Sequence, residues 1–272
     1  MPTQFEKAQA FRKLHERAGA FVIPNPWDVG TTRLLERLGF EALATTSLGY
    51  AVSQGFRDYE LGRDRVLEHC RSIVAATSLP VSADLENCFG DDPTVVAETI
   101  RLAAETGLAG GSVEDSTGNP ESPIHDAFLA AERVRAAAET AKKVPFPFVL
   151  TARCENYMHQ RLDLADTIRR LQSYQEAGAD VLYAPGLKTA EEIVAVVRSV
   201  NRPVNVLMGL AGINLSVAQL STIGVKRVSV GSALTRAAMS AVLRAAREMR
   251  DEGTFRFTDQ SVPMGELNSL LD

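Results

Sequence analysis

The chain has 272 residues, enough for one large domain with a substantial core. Its 45% apolar and 23% charged residues are ordinary for a soluble globular protein. A net charge of -5, with no apolar run near the ~20 residues of a membrane span, gives no sign of a nucleic-acid or membrane surface.

The N-terminus, MPTQFEKAQAFRKLHERAG, alternates charge with apolar positions and lacks the apolar core of a signal peptide, so a cytoplasmic protein is expected. Cys70, Cys88 and Cys154 have no metal-like spacing and read as reduced thiols. A helix over 5–18 precedes the first strand and is placed to cap the bottom of the fold. Short apolar, β-branched runs then alternate with helical patterns: 20–25, 41–46, 80–86, 110–116, 148–153, 180–185, 203–208 and 227–232. GDDPTVV supplies a helix start with Asp and Pro in the first turn, and EAGADV and TIGVKR place Gly where a helix should stop. Eight such units predict a single (β/α)8 barrel over 1–252 rather than a doubly wound sheet, whose nucleotide-binding form would favour a Gly-rich first loop that NPWDVG does not provide. The tail, 253–272, reads as irregular.

Barrel enzymes build their sites at the C-terminal ends of the strands. There this chain collects Asn25, Trp27, Thr46, Ser47, Asp84, Glu86, Glu114, Asp115, Arg153, Glu155 and, among apolar neighbours on strand seven, Asn205. Asp84 and Glu86 are two apart and would share a face of an extended strand. Buried charge needs a partner, and carboxylates converging on one mouth point to a hard, oxygen-loving cation, Mg²⁺ or Mn²⁺. Arg153 either holds a substrate carboxylate or neutralises Glu114 or Glu155. Trp27 either walls a pocket or fills core, and backbone N–H groups near Thr46 and Ser47 are placed to hold a substrate.

VIPNPWDVGTTRLLERLGFEALATTS, PVSADLENCFG, GGSVEDS, LTARCENY, YQEAGADVLYAPG and RPVNVLM, in this order, give the chain from Phe11 to Arg250 a resemblance to the isocitrate lyase/phosphoenolpyruvate mutase superfamily, particularly its short bacterial members. The resemblance implies a barrel whose last helix is exchanged with a neighbouring subunit in a dimer or tetramer. It also implies Mg²⁺ and a small α-oxoacid or related carboxylate, with bonds made or broken through an enolate. On that pattern Asp84 and Glu86 take the two main metal positions, Glu86 standing where the family usually has Asp. Glu114 is the strand-four acid, and Asp58 a further acid reached through metal-bound water. Trp27 is the pocket aromatic, Thr46 and Ser47 cradle the substrate carboxylate, and Arg153 clamps substrate.

The pattern departs after strand four. The superfamily's lyases carry a KKCGH-like loop and its mutases use Lys and Asn there. Residues 117–131 hold neither Cys nor Lys, and only Asn119 matches. His125 is the proton-exchanging candidate near this loop, with loop anchoring beside Asp126 as its alternative role. The expected activity is Mg²⁺-dependent cleavage of a C–C bond in a small 2-oxo- or 2-hydroxycarboxylate, with catalytic roles at Arg153, Glu114 and His125. The alternatives are a phosphonopyruvate-type mutase or P–C hydrolase, and a non-catalytic oxoacid-binding protein.

Overall fold

The computed structural model describes residues 1–210 and 213–271. Helix α1 (Gln4–Glu16) starts at a capping box between Thr3 and Glu6. Its Ala8, Phe11 and Leu14 pack with Phe21, Ala42, Ala109, Val149 and Val181 at the strand starts, closing the bottom of the barrel.

The strands are β1 (Phe21–Ile23), β2 (Leu43–Ala44), β3 (Val81–Ala83), β4 (Gly110–Glu114), β5 (Val149–Arg153), β6 (Val181–Tyr183), β7 (Val204–Leu207) and β8 (Arg227–Ser229). All ladders are parallel, in the order β1-β8-β7-β6-β5-β4-β3-β2. A backbone hydrogen bond from Ala44 to the Pro24 carbonyl, 3.0 Å, joins the two ends, giving a nearly closed (β/α)8 barrel.

Around it run α2 (Val29–Arg37), α3 (Ser47–Ser53), α4 (Arg63–Ala75), α5 (Pro93–Ala104), α6 (Ala127–Ala141), α7 (Leu164–Ala177), α8 (Ala190–Ser199) and α9 (Val217–Thr222). Their ends follow local chemistry. Asp92 caps α5 by accepting from Thr94 N–H at 2.7 Å, and Gly178 closes α7 in the left-handed region at φ 109°.

The last helices differ from these. In α10 (Ala233–Arg247) only Thr235 is buried, while Val242 and Leu243 are 61% and 53% exposed. The tail is not irregular, as expected, but helical: a 3-10 turn (Arg256–Gln260) leads to α11 (Met264–Leu271), which packs on α2. Asp272, the end of that tail, lies outside the described residues. No described helix is long and apolar enough to cross a membrane.

Candidate active site

A cavity of ≈ 160 Å³ opens at the C-terminal ends of the strands, with Asp58, Asp84, Ser47, Arg153, Asn205 and Arg227 in its lining. Its size suits a small acid rather than a nucleotide.

β3 ends at Ala83, so Asp84 and Glu86 do not share a strand face. The chain leaves the ladder and turns through left-handed conformations at Glu86, Cys88 and Phe89 (φ 52°, 59° and 64°). That turn points Asp84 into the cavity and puts Glu86 behind its lining. Both Asp84 oxygens are engaged. Oδ2 accepts from the N–H and the hydroxyl of Ser47, each at 3.2 Å, and Oδ1 lies 2.8 Å from Arg153 Nη1.

Arg153 is the electrostatic centre of the mouth. Besides Asp84 it reaches Glu114 through Nη2 at 3.1 Å and Glu155 through Nε at 2.7 Å, and it lies over the Tyr183 ring. Burial works against its charge, but Glu114, Glu155 and Asp84 hold its pKa well above the usual arginine value. These contacts draw the neutralising role weighed for Arg153, and the same side chain lines the cavity where the expected substrate clamp would act. Glu114, buried behind the lining, also accepts from the Tyr59 hydroxyl.

Negative charge still exceeds positive here. Burial, then Asp84 and Asp58, pushes Glu86 up to about 8. Burial pushes Glu114 up to about 8 against the pull of Arg153, with help from Glu155 and Asp58. Burial and Asp84 raise Asp58 to about 6, and its Oδ1 is buried without a hydrogen-bond partner. Burial is the largest cause in all three, and a bound cation would offset it.

The four expected metal acids do not form a ready shell. Among the described residues no three His, Cys, Asp or Glu groups converge as a ligand set, because Arg153 stands between Asp84 and Glu114. What fits is a hard cation held through Asp58 and Asp84 with water completing its shell, the manner in which Mg²⁺ is usually bound.

Other expected residues fall differently. Thr46 and Ser47 line the cavity, but Thr46 caps α3 through its hydroxyl and Ser47 is turned to Asp84, so neither cradles a free anion. Asn205 lines it with its amide spent on Ser229 and Arg227, each at 2.9 Å. Trp27 does not line the cavity; it packs beside Gly49. His125 is a correction. It lies outside the lining, its Nε2 3.4 Å from Asp91, its N–H donating to the Asp115 carbonyl and its own carbonyl accepting from Arg170. Burial and Arg133 depress its pKa, so it anchors the loop as a neutral ring. Asp126 caps α6. Asn119 turns its side chain back to Glu121 N–H. Cys88 is buried, with its thiol pushed up to about 12, and is inert.

Sequence reasoning missed Tyr59 and Arg227. It also missed the polar inner wall of Ser82, Ser112, Thr151 and Ser229, which line the cavity. The available signal was hydroxyl residues at alternate strand positions, where barrel interiors carry Val, Ile and Leu.

A barrel with a cluster of proton-hungry acids around one cavity at its C-terminal face defines an enzyme for small polar substrates. The chain belongs to the phosphoenolpyruvate phosphomutase family, within the isocitrate lyase/phosphoenolpyruvate mutase superfamily, the match running over residues 11–250. It is 60% identical to a Burkholderia cenocepacia protein described as a candidate lyase or mutase, with a TM-score of 0.95 over 98% of this chain and 95% of that one. It is 28% identical to the 2-methylisocitrate lyase of Halalkalibacterium halodurans, covering 93% of this chain and 85% of the relative. It is also 26% identical to a phosphonopyruvate hydrolase solved with oxalate and Mg²⁺, with a TM-score of 0.85 and coverage of 99% and 95%. The superfamily's members act on C–C and C–P bonds, and this chain is an enzyme of that superfamily, of lyase or mutase type.

Proposed function

We propose that the enzyme binds Mg²⁺, or Mn²⁺ in its place, together with a small 2-oxo- or 2-hydroxycarboxylate, and cleaves its C2–C3 bond through an enolate. The observation that carries this reading is the excess of acids gathered around Arg153, with Asp58 Oδ1 left unpartnered. Mg²⁺ with oxalate in a related hydrolase supports it.

Asp58 and Asp84 would hold the ion, which supplies positive charge beside the oxygen where charge develops. The chain's own residues do the rest. Ser47 fixes Asp84 by two hydrogen bonds. Arg153 holds Asp84, Glu114 and Glu155 together against their mutual repulsion. Glu114, with its pKa pushed up to about 8 and Tyr59 on its Oε1, keeps a proton behind the lining near neutral pH. With no Cys or Lys in the loop at 117–131, the Tyr59–Glu114 pair, just behind the cavity lining, is our candidate to relay a proton through water to the enolate carbon. Three buried free thiols fit a reducing, cytoplasmic setting.

Incubation with Mg²⁺ and a panel of 2-oxo- and 2-hydroxycarboxylates, followed by proton NMR, tests the reading. Two smaller acids should appear from at least one substrate. No turnover across the panel, with ligand-induced thermal stabilisation, would leave an oxoacid-binding protein instead. The second reading is P–C cleavage, favoured by the likeness to phosphonopyruvate hydrolase over nearly the whole chain. Inorganic phosphate released from phosphonopyruvate, read by phosphorus NMR, would select it.

A further inference from the structure

Two guanidiniums line the cavity, and they are provided for in opposite ways. Arg153 meets three carboxylates within 3.1 Å. Arg227, which opens β8 and is 5% exposed, pairs with no carboxylate among the described residues. Its Nε donates to Asn205 Oδ1 and its Nη2 to Thr151 Oγ1, both at 2.9 Å, and both acceptors are neutral. Its Nη1 is buried with no hydrogen-bond partner. Burial lowers its pKa to about 10, which still leaves it charged near pH 7. His15, beneath it, is neutral: burial and then Arg227 itself push that imidazole down to about 3.

A buried cation without an anion is among the costliest things a fold can keep. The walls beside Arg227 are also wrong for a packed barrel core and right for a polar ligand, with Ser82, Ser112, Thr151 and Ser229 facing the same cavity. Thr151 precedes Arg153 by two residues on one face of β5, a spacing of about 7 Å. Arg227, bonded to Thr151, therefore lies about one barrel layer below the mouth.

We propose that Arg227 forms an anion subsite at the floor of the cavity and receives the second carboxylate of a short dicarboxylate substrate. This rests on reading the cavity as a carboxylate site. It names where the far charge goes, since Arg153 is already answered by three acids. A free inorganic anion offers the same chemistry, and the test separates the two sources.

Malate and 2-hydroxybutyrate share a four-carbon 2-hydroxy acid skeleton and differ in the second carboxylate. Each is titrated calorimetrically into the Mg²⁺-loaded protein in gluconate buffer. The wild type should bind malate about 10-fold or more tightly than 2-hydroxybutyrate. Arg227→Gln should remove that preference while leaving 2-hydroxybutyrate within about 2-fold of its wild-type affinity, and Arg227→Lys should restore part of it. Equal affinities in the wild type, or a preference that survives Arg227→Gln, overturns the proposal. If Arg227→Gln does not fold, the wild-type comparison still decides, and Thr151→Val, which keeps the charge and removes one acceptor, should narrow the preference. Thermal stabilisation of the wild type by chloride that Arg227→Gln lacks, with no advantage for malate, assigns the subsite to a free anion and also overturns it. Because these are binding measurements, failure is separable from failure of the lyase reading. Arg227-dependent preference without turnover refutes only the activity, and turnover without that preference refutes only the subsite.

Discussion

Ser47 holds Asp84 through two hydrogen bonds to the same oxygen, one from its N–H and one from its hydroxyl, each 3.2 Å long. The backbone half of this grip survives Ser47→Ala and the hydroxyl half does not. Loss of one such bond to a charged acceptor is worth roughly 1.5–3 kcal/mol at most. Ser47→Ala should keep its fold and weaken Mg²⁺ binding by roughly 10-fold, read by calorimetry with oxalate present. Unchanged affinity would mean that Asp84 needs no orienting partner.

Glu86 gives a pH prediction whose sign can be worked out. Its pKa is raised from 4.5 to about 8 on folding, by burial and then Asp84 and Asp58. The folded protein therefore binds more protons than the unfolded chain between these values. The stabilisation is complete below pH 4.5 and is lost as pH rises through about 8. In metal-free protein Glu86→Gln should melt close to the wild type near pH 5 and at least about 2 °C above it at pH 8.5. His15 and His69 run the other way, their pKa values lowered to about 3 and about 4, but they are common to both proteins and cancel in the difference. A melting difference that stays constant across the range would show that Glu86 titrates normally.

The face of α10 predicts self-association. Val242 and Leu243 are 61% and 53% exposed on a helix with a single buried residue, and Met249, in the turn that follows it, is 41% exposed. We expect these side chains to be covered by a second copy, in a dimer or tetramer burying about 2,000 Å² or more in total. Light scattering should report a multiple of 29.4 kDa, and Val242→Glu with Leu243→Glu should shift it toward the monomer. A wild-type monomer at micromolar concentration would sink this.

All three thiols are free and buried. Burial pushes Cys70 and Cys88 up to about 12, and Cys154 well above the usual thiol value. A thiol-reactive probe should label none of them within minutes in the native protein and all three in denaturant. Fast labelling of one in the native state would mark it as accessible and reactive.

The barrel was legible because its evidence is local and repeated. Each strand is a short apolar run, and helix ends such as Asp92 and Gly178 carry their own signals. The site was legible as a list but not as an arrangement. Asp84 and Arg153, both expected at the strand ends, line the cavity. Nothing in the spacing reveals that three acids claim Arg153, since two of them come from other strands. Glu86 was misplaced because its left-handed turn is made by a residue type that rarely adopts it. His125 stood out as a histidine in a loop, yet its burial against Asp91 and Arg133 is a tertiary fact. Arg227 escaped notice because a basic residue opening a strand usually faces solvent, and only the register of β8 against β7 turns it inward.

The barrel wall also has a joint. Between β1 and β2 no ladder forms among the described residues, and the Ala44–Pro24 hydrogen bond is reinforced at the rim by Asn25. The Asn25 amide donates to Thr45 O at 2.9 Å on one side, and its oxygen accepts from the N–H groups of Val230 and Gly231 at 3.0 and 2.9 Å on the other. The cylinder is thus a rolled sheet buttoned by one side chain. Its easiest deformation is to unroll along that line, and hydrogen exchange at the Ala44 amide would be its first trace. Without the Asn25 side chain this seam would loosen beside the cavity, so one asparagine helps keep the chamber round.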